Sequence, residues 1–180
     1  MRITLAVVLG VVALALAGCT PGPGPLPIPP SPTATPVFAS DEEALEAAVG
    51  LFGEYLAFAD TTSPQEQLEG GRLEGFLASE ALDESRESLQ EWVDNGWSSS
   101  GHSSIDSPQL QSYRESQGVA AVTFYLCEDL SAVDVVDGTG VSVVTPGRRD
   151  RLPLEVEVSG QSSQNLRITR SDLWAGDDFC

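Results

Sequence analysis

The sequence predicts an α+β domain in which about three N-terminal helices pack on a curved antiparallel sheet. Three observations carry that expectation. Apolar residues recur at helical spacing as far as Asn95, they recur at every second residue from about Gly118 onward, and turn signals separate the alternating runs. Helices first and strands afterwards, each with one apolar face, is the order of an α+β fold with the helices over one face of the sheet.

The first helix opens at Ser40-Asp41-Glu42-Glu43, a capping box in which Ser40 accepts from the Glu43 N–H and Glu43 reaches back. Leu45, Ala48, Val49, Phe52, Tyr55, Leu56 and Ala59 then form an apolar stripe. Gly50 and Gly53 weaken this helix by about 1 kcal/mol each relative to Ala, and close packing against a sheet is the expected reason for them. A second cap, Ser63-Pro64-Gln65-Glu66, starts a short helix that Gly70-Gly71 ends. Ser79 to Asn95 carries Leu82, Leu89, Trp92 and Val93 on one side, with Gly96 placed to terminate it.

The strands follow. Ile105 to Arg114 is the weakest of them. From Gly118 to Cys127, Ala120, Val122, Phe124 and Leu126 alternate with Ala121, Thr123, Tyr125 and Cys127. Val133 to Val136 leads into the Asp137-Gly138 turn, and Val141 to Val144 is the expected hairpin partner. Leu152, Leu154, Val156 and Val158 alternate with Pro153, Glu155 and Glu157, and Leu166 and Ile168 with Arg167 and Thr169. Such sequential antiparallel strands bury one face and wet the other.

Ahead of this domain, which is expected to span residues 39–180, lies a different kind of sequence. Arg2 precedes an apolar run from Ile3 to Ala17, and Leu16-Ala17-Gly18-Cys19 reads as a bacterial lipobox with Cys19 as the lipid attachment site. As a helix the run reaches only about 22 Å, short of a hydrocarbon core of about 30 Å, which suits a signal peptide over residues 1–18. An ordinary secretory signal or an uncleaved anchor helix are the alternatives. Residues 19–38 read as a Pro-rich tether, because Pro21 to Pro36 holds eight of the chain's 12 prolines. Polyproline II structure at about 3.1 Å per residue would let it span on the order of 50 Å. The expected location is the extracytoplasmic face of the cell membrane, held by acyl chains such as palmitate.

Charge narrows the partners. There are 9 basic residues, all arginine, against 27 acidic ones, for a net charge of −18. Such a domain repels phosphates and anionic headgroups, so nucleic acid is an unfavourable partner and membrane contact falls to the lipid anchor. Of the three cysteines, lipidation of Cys19 leaves Cys127 and Cys180, whose simplest fate in an oxidising compartment is one disulfide. Closing a loop of roughly 50 residues is worth about 4 kcal/mol in the chain-entropy model. A redox or metal pair is the rival, but there is no C-x-x-C and His102 is the single histidine.

The order helix, short helix, helix, curved sheet resembles the nuclear transport factor 2-like superfamily, the cone-shaped fold shared with ketosteroid isomerases. More narrowly, the chain looks like small actinobacterial lipoproteins with a domain of that type. The matching pieces are Leu89-Gln90-Glu91-Trp92 through Gly96-Trp97, Tyr125-Leu126-Cys127-Glu128-Asp129 with Ser131, Val135-Val136-Asp137-Gly138, and Trp174 before Cys180. One departure falls at Asn165-Leu166, where such domains often open a late strand on an aromatic residue; the strand register there stays open.

Little in the sequence carries chemistry. His102 sits in a serine-rich, loop-like stretch with no G-x-S-x-G around it. Arg148, Arg149 and Arg151 form a basic cluster interrupted by Asp150, best read as a solvated turn. Asp134 and Asp137 do not fit a calcium loop. No metal and no cofactor is expected. The resemblance implies a role for Tyr55, since isomerases of that fold polarise a carbonyl with a tyrosine in the cone, assisted by a carboxylate. Tyr55 lies on the first helix's apolar stripe, but Asp60 is near the helix end and no strand aspartate clearly faces the core. A core tyrosine bonded to backbone is the simpler reading. The expected function is therefore a non-catalytic envelope protein that binds a small apolar ligand or another envelope protein; the alternative is an isomerase- or dehydratase-like enzyme.

Overall fold

The computed structural model describes residues 35–180. The expected signal, the lipobox Leu16 to Cys19 and nearly all of the tether lie outside the described residues. Among those described, no helix is long and apolar enough to cross a membrane.

Among the described residues three α-helices come first. Helix α1 spans Asp41–Thr61, and the Ser40 Oγ accepts from the Glu43 N–H at 3.2 Å. The Glu43 carboxylate reaches back one residue further than expected, accepting from the Ala39 N–H at 2.7 Å. Helix α2, Pro64–Glu69, has both halves of its capping box between Ser63 and Glu66. After a 3₁₀ turn at Leu73–Gly75, helix α3 runs Ser79–Asn95 and ends at Gly96, whose φ of +66° lets its N–H bond the carbonyls of Trp92 and Val93. Gly50 and Gly53 do not mark a close approach. A Cβ at either would meet nothing within 4 Å, because Ala44, Ala48 and Phe52 form the buried face and the glycines lie off it.

Six strands follow: β1 Ser98–Ser100, β2 Ser104–Ser116, β3 Val119–Asp129, β4 Asp134–Val136, β5 Arg151–Gly160 and β6 Arg167–Leu173. A four-stranded antiparallel sheet has the order β2-β3-β5-β6. Gln117 and Gly118, both at positive φ, join β2 to β3 where Ser116 pairs with Val119, as a two-residue hairpin requires. The expected hairpin beyond β4 is only half formed. The turn is there, with the Asp137 N–H bonded to the Val141 carbonyl at 2.9 Å, but Val141 to Val144 contributes a single bridge, Val136 to Ser142. Val141 is 61% exposed, so that run has no face to bury. Strand β4 pairs instead with β1, a serine stretch the sequence assigns to loop. Gly101 makes this approach feasible: at φ +92° it passes so near the Ala132 carbonyl that a Cβ would lie 1.8 Å from the oxygen.

The parity of β3 sets the layers. Ala120, Val122, Phe124 and Leu126 are fully buried on the inner face, beside Val156 and Val158 of β5 and Ile168 of β6. Helix α1 packs over β2 and β3, and α3 over β6 and α2. The core extends past α1 to Phe38, which is 2% exposed and meets Tyr113 of β2 edge-on at 5.9 Å. The register left open near Asn165 resolves as a 3₁₀ turn at Ser163–Asn165 and a buried Leu166, with an irregularity between Glu157 and Val158 as β6 pairs with β5.

The outer face is fastened by different means. Cys127 and Cys180 are bonded, with Cα atoms 5.6 Å apart, inside the usual range. The segment Trp174 to Cys180 lies along the outer face, where Trp174 and Phe179 meet the Tyr125 ring at 4.8 and 5.9 Å. Arg151 grips Asp106 with two hydrogen bonds of 2.7 and 2.9 Å and stands 3.6 Å from Asp129. The arginine cluster is thus largely committed: Arg148 donates to the carbonyls of Leu130 and Val133, and Arg149 pairs with Asp178 at 2.6 Å.

Candidate binding cleft

A cleft opens where α3 fails to close on the sheet. The α3 residues that line it are Ala81, Glu84, Ser85, Ser88, Leu89 and Trp92, so that serines and a glutamate stand beside the apolar residues a filled core would need throughout. Ala81 is the single buried residue of α3. Across from it, the second half of α1 presents Tyr55, Leu56, Ala59 and Asp60. Between these walls and the inner strand ends lies a space of about 440 Å³, floored by Phe52, Leu77, Leu154 and Ile168. That is the size and mixed character of a small-ligand pocket.

Three polar groups define its chemistry. Tyr55 stands among aromatic rings, 6.3 Å from Phe52 and 6.1 Å from Phe76, and burial pushes its phenol above the ordinary range while the Ser85 side chain acts in the opposite sense. The charge of Glu128 pushes the phenol in the same upward direction as burial does. Glu128 belongs to the inner face of β3, two residues beyond Leu126, and its carboxyl is also held above the usual range, first by burial and then by the charge of Asp60. Asp60 is positioned by the chain after β1: the Ser103 N–H donates to it at 2.9 Å and the Ser103 hydroxyl at 3.1 Å.

The sequence-level candidates separate accordingly. Tyr55 lines the cleft. Asp60 is brought in by tertiary contact. His102 is 80% exposed and lies outside the cleft lining, 4.0 Å from Asp60, and because Ser103 donates to Asp60 the three do not form a nucleophilic relay. Cys127 and Cys180 are on the opposite face of the sheet. Among the described residues no three metal-ligating groups lie together. Glu128 is a carboxylate that the sequence reading does not single out. The signal was present in the parity of β3, which puts residue 128 on the same face as Phe124 and Leu126.

No protein-family model matches the chain, and no curated protein does. Among solved structures, it is similar to the intermembrane space region of the chloroplast protein ARC6, at 17% identity and a TM-score of 0.50, covering 76% of this chain and 98% of that one. A protein of Kribbella flavida matches at 13% identity and a TM-score of 0.40, covering 74% and 91%. The first likeness supports a shared α+β fold and nothing finer.

Proposed function

We propose that this chain is a lipid-anchored, extracytoplasmic envelope protein whose nuclear transport factor 2-like domain binds a small ligand in the cleft without transforming it. The observation that carries the reading is the cleft itself: a concave space of about 440 Å³ with an apolar floor and a few polar groups. A ligand would be held by burial at roughly 25 cal/mol per Å² of apolar surface. Another envelope protein inserting a side chain is the other occupant this reading allows. Anchoring through Cys19 and the exclusion of nucleic acid follow from the lipobox and the acidic balance. If the anchor reading holds, Cys19→Ala moves the protein from the membrane fraction to the soluble one; a variant that sediments with membranes like the wild type would place the anchor elsewhere.

One observation favours a second reading, an isomerase- or dehydratase-like enzyme. Tyr55 and Glu128 share the cleft, and each is held above its ordinary range, first by burial. A phenol that donates a hydrogen bond and a carboxyl able to exchange a proton are the parts an enolising site needs. The test is to incubate the purified protein with cyclic enones and follow their absorbance. The binding reading expects no turnover in wild type or Tyr55→Phe; steady isomerisation lost in Tyr55→Phe would replace it with the enzyme.

A further inference from the structure

We infer that the cleft selects ligands joining an apolar body to a cationic head, such as a protonated amine, with the Glu128 carboxylate as the partner of that head. This rests on the cleft being a ligand site and names the class of ligand. The walls carry Asp60, Glu84 and Glu128, and among the described residues that line them there is no arginine, lysine or histidine. A carboxylate ligand would bring a further negative charge to a wall that is already acidic, and a cationic one an opposite charge.

The three acidic groups are not equivalent. Asp60 already accepts from the Ser103 N–H and hydroxyl, and Glu84 is exposed. Glu128 sits deeper, on the inner strand face, and no hydrogen bond contributes to its state. Burial and the charge of Asp60 both oppose its ionised form. A cation beside it would relieve both at once, replacing a like-charge neighbour in an apolar setting by an opposite charge. The aromatic rings reinforce the same polarity: Tyr55 and Trp92 line opposing walls, and ring faces attract ammonium groups. The floor of Phe52, Leu77 and Ile168 then takes the apolar body. The net charge of −18 adds a long-range field that draws cations and repels anions.

Three probes with one aromatic body separate the possibilities: phenethylammonium, phenethyl alcohol and hydrocinnamate, titrated calorimetrically into the full purified chain at neutral pH and low salt. The ammonium should bind on the order of tenfold more tightly than the alcohol, as one charge-assisted hydrogen bond would give, and the carboxylate most weakly. Glu128→Gln, which keeps the shape and removes the charge, should erase the ammonium preference while leaving the affinity for the alcohol in place. Equal binding of ammonium and alcohol, or a preference for the carboxylate, would overturn the cationic class and leave the cleft as a neutral-ligand site. If none of the three binds, both the class and the binding role of the cleft fall.

Discussion

The two ends of β3 sit in one sheet and are held in opposite ways. From Ala120 to Leu126 the inner side chains are fully buried, and packing holds that face of the strand. At Glu128 the inner side faces a space that α3 leaves open, and stability comes from the other side of the strand. There the disulfide at Cys127, the Arg151 grip on Asp106 and Asp129, and the aromatic cover of Tyr125 lie together. A sheet can keep a cleft open on one face when its opposite face is tied down. A cleft on one face of a strand can thus be kept open without core packing beneath it, because a short set of fasteners directly behind it holds the strand ends in register.

The sharpest way to test the contrast is to damage the packed end. Phe124→Ala should destabilise the domain by about 3–5 kcal/mol in urea denaturation, the usual cost of truncating a buried phenylalanine. A loss below about 1 kcal/mol would mean that the closed end is not what holds the sheet. The next largest effect belongs to the fastened end. Replacing Cys127 by Ser should cost about 2–4 kcal/mol, and amide exchange should rise first at residues 127–129 and 151–153, with Val122 to Phe124 staying protected. Uniform acceleration along β3 would show that the two ends do not open separately.

The smallest effect is in the pH dependence. Glu128 has a raised folded-state value, so the stability associated with its protonated form is complete at low pH and is lost as pH rises through the folded value. Asp106 behaves oppositely, because hydrogen bonding to Arg151 lowers its value, and its contribution disappears as pH falls. The fastened end should therefore be most stable at an intermediate pH. Glu128→Gln should flatten the decline on the alkaline side and leave the acid limb alone; an unchanged alkaline limb in chemical denaturation across pH would dissociate Glu128 from that decline.

The elements with strong periodicity were legible from the sequence, and so were both N-terminal helix caps and the C-cap at Gly96. Those signals are local and the physics behind them is local. The β1–β4 ribbon was not legible, because three serines carry no alternation and their pairing depends on Gly101 slipping past Ala132. Val141 to Val144 misled for the converse reason: β-branched residues signal a strand only where a face is available for them to cover. The cleft was half legible. Tyr55 could be placed from the helical stripe and Glu128 from strand parity, but Asp60 reaches the same space through Ser103, forty-three positions away in the chain. The void opposite them follows from Ser85 and Ser88, whose significance appears only once α3 has been set against the sheet.

Both borders of the four-stranded sheet are spoiled for further pairing. Along β2 the register breaks between Asp106 and Gln109, where Ser107 takes a φ of +55° and Pro108 offers no N–H. Along β6 the segment around Leu77 already occupies part of the border, with the Ala78 N–H bonded to the Ile168 carbonyl and the Ile168 N–H to the Phe76 carbonyl. Another copy approaching edge to edge would find an interrupted ladder on one side and an occupied one on the other. Such molecules can stand shoulder to shoulder at high density without their sheets fusing into fibrils.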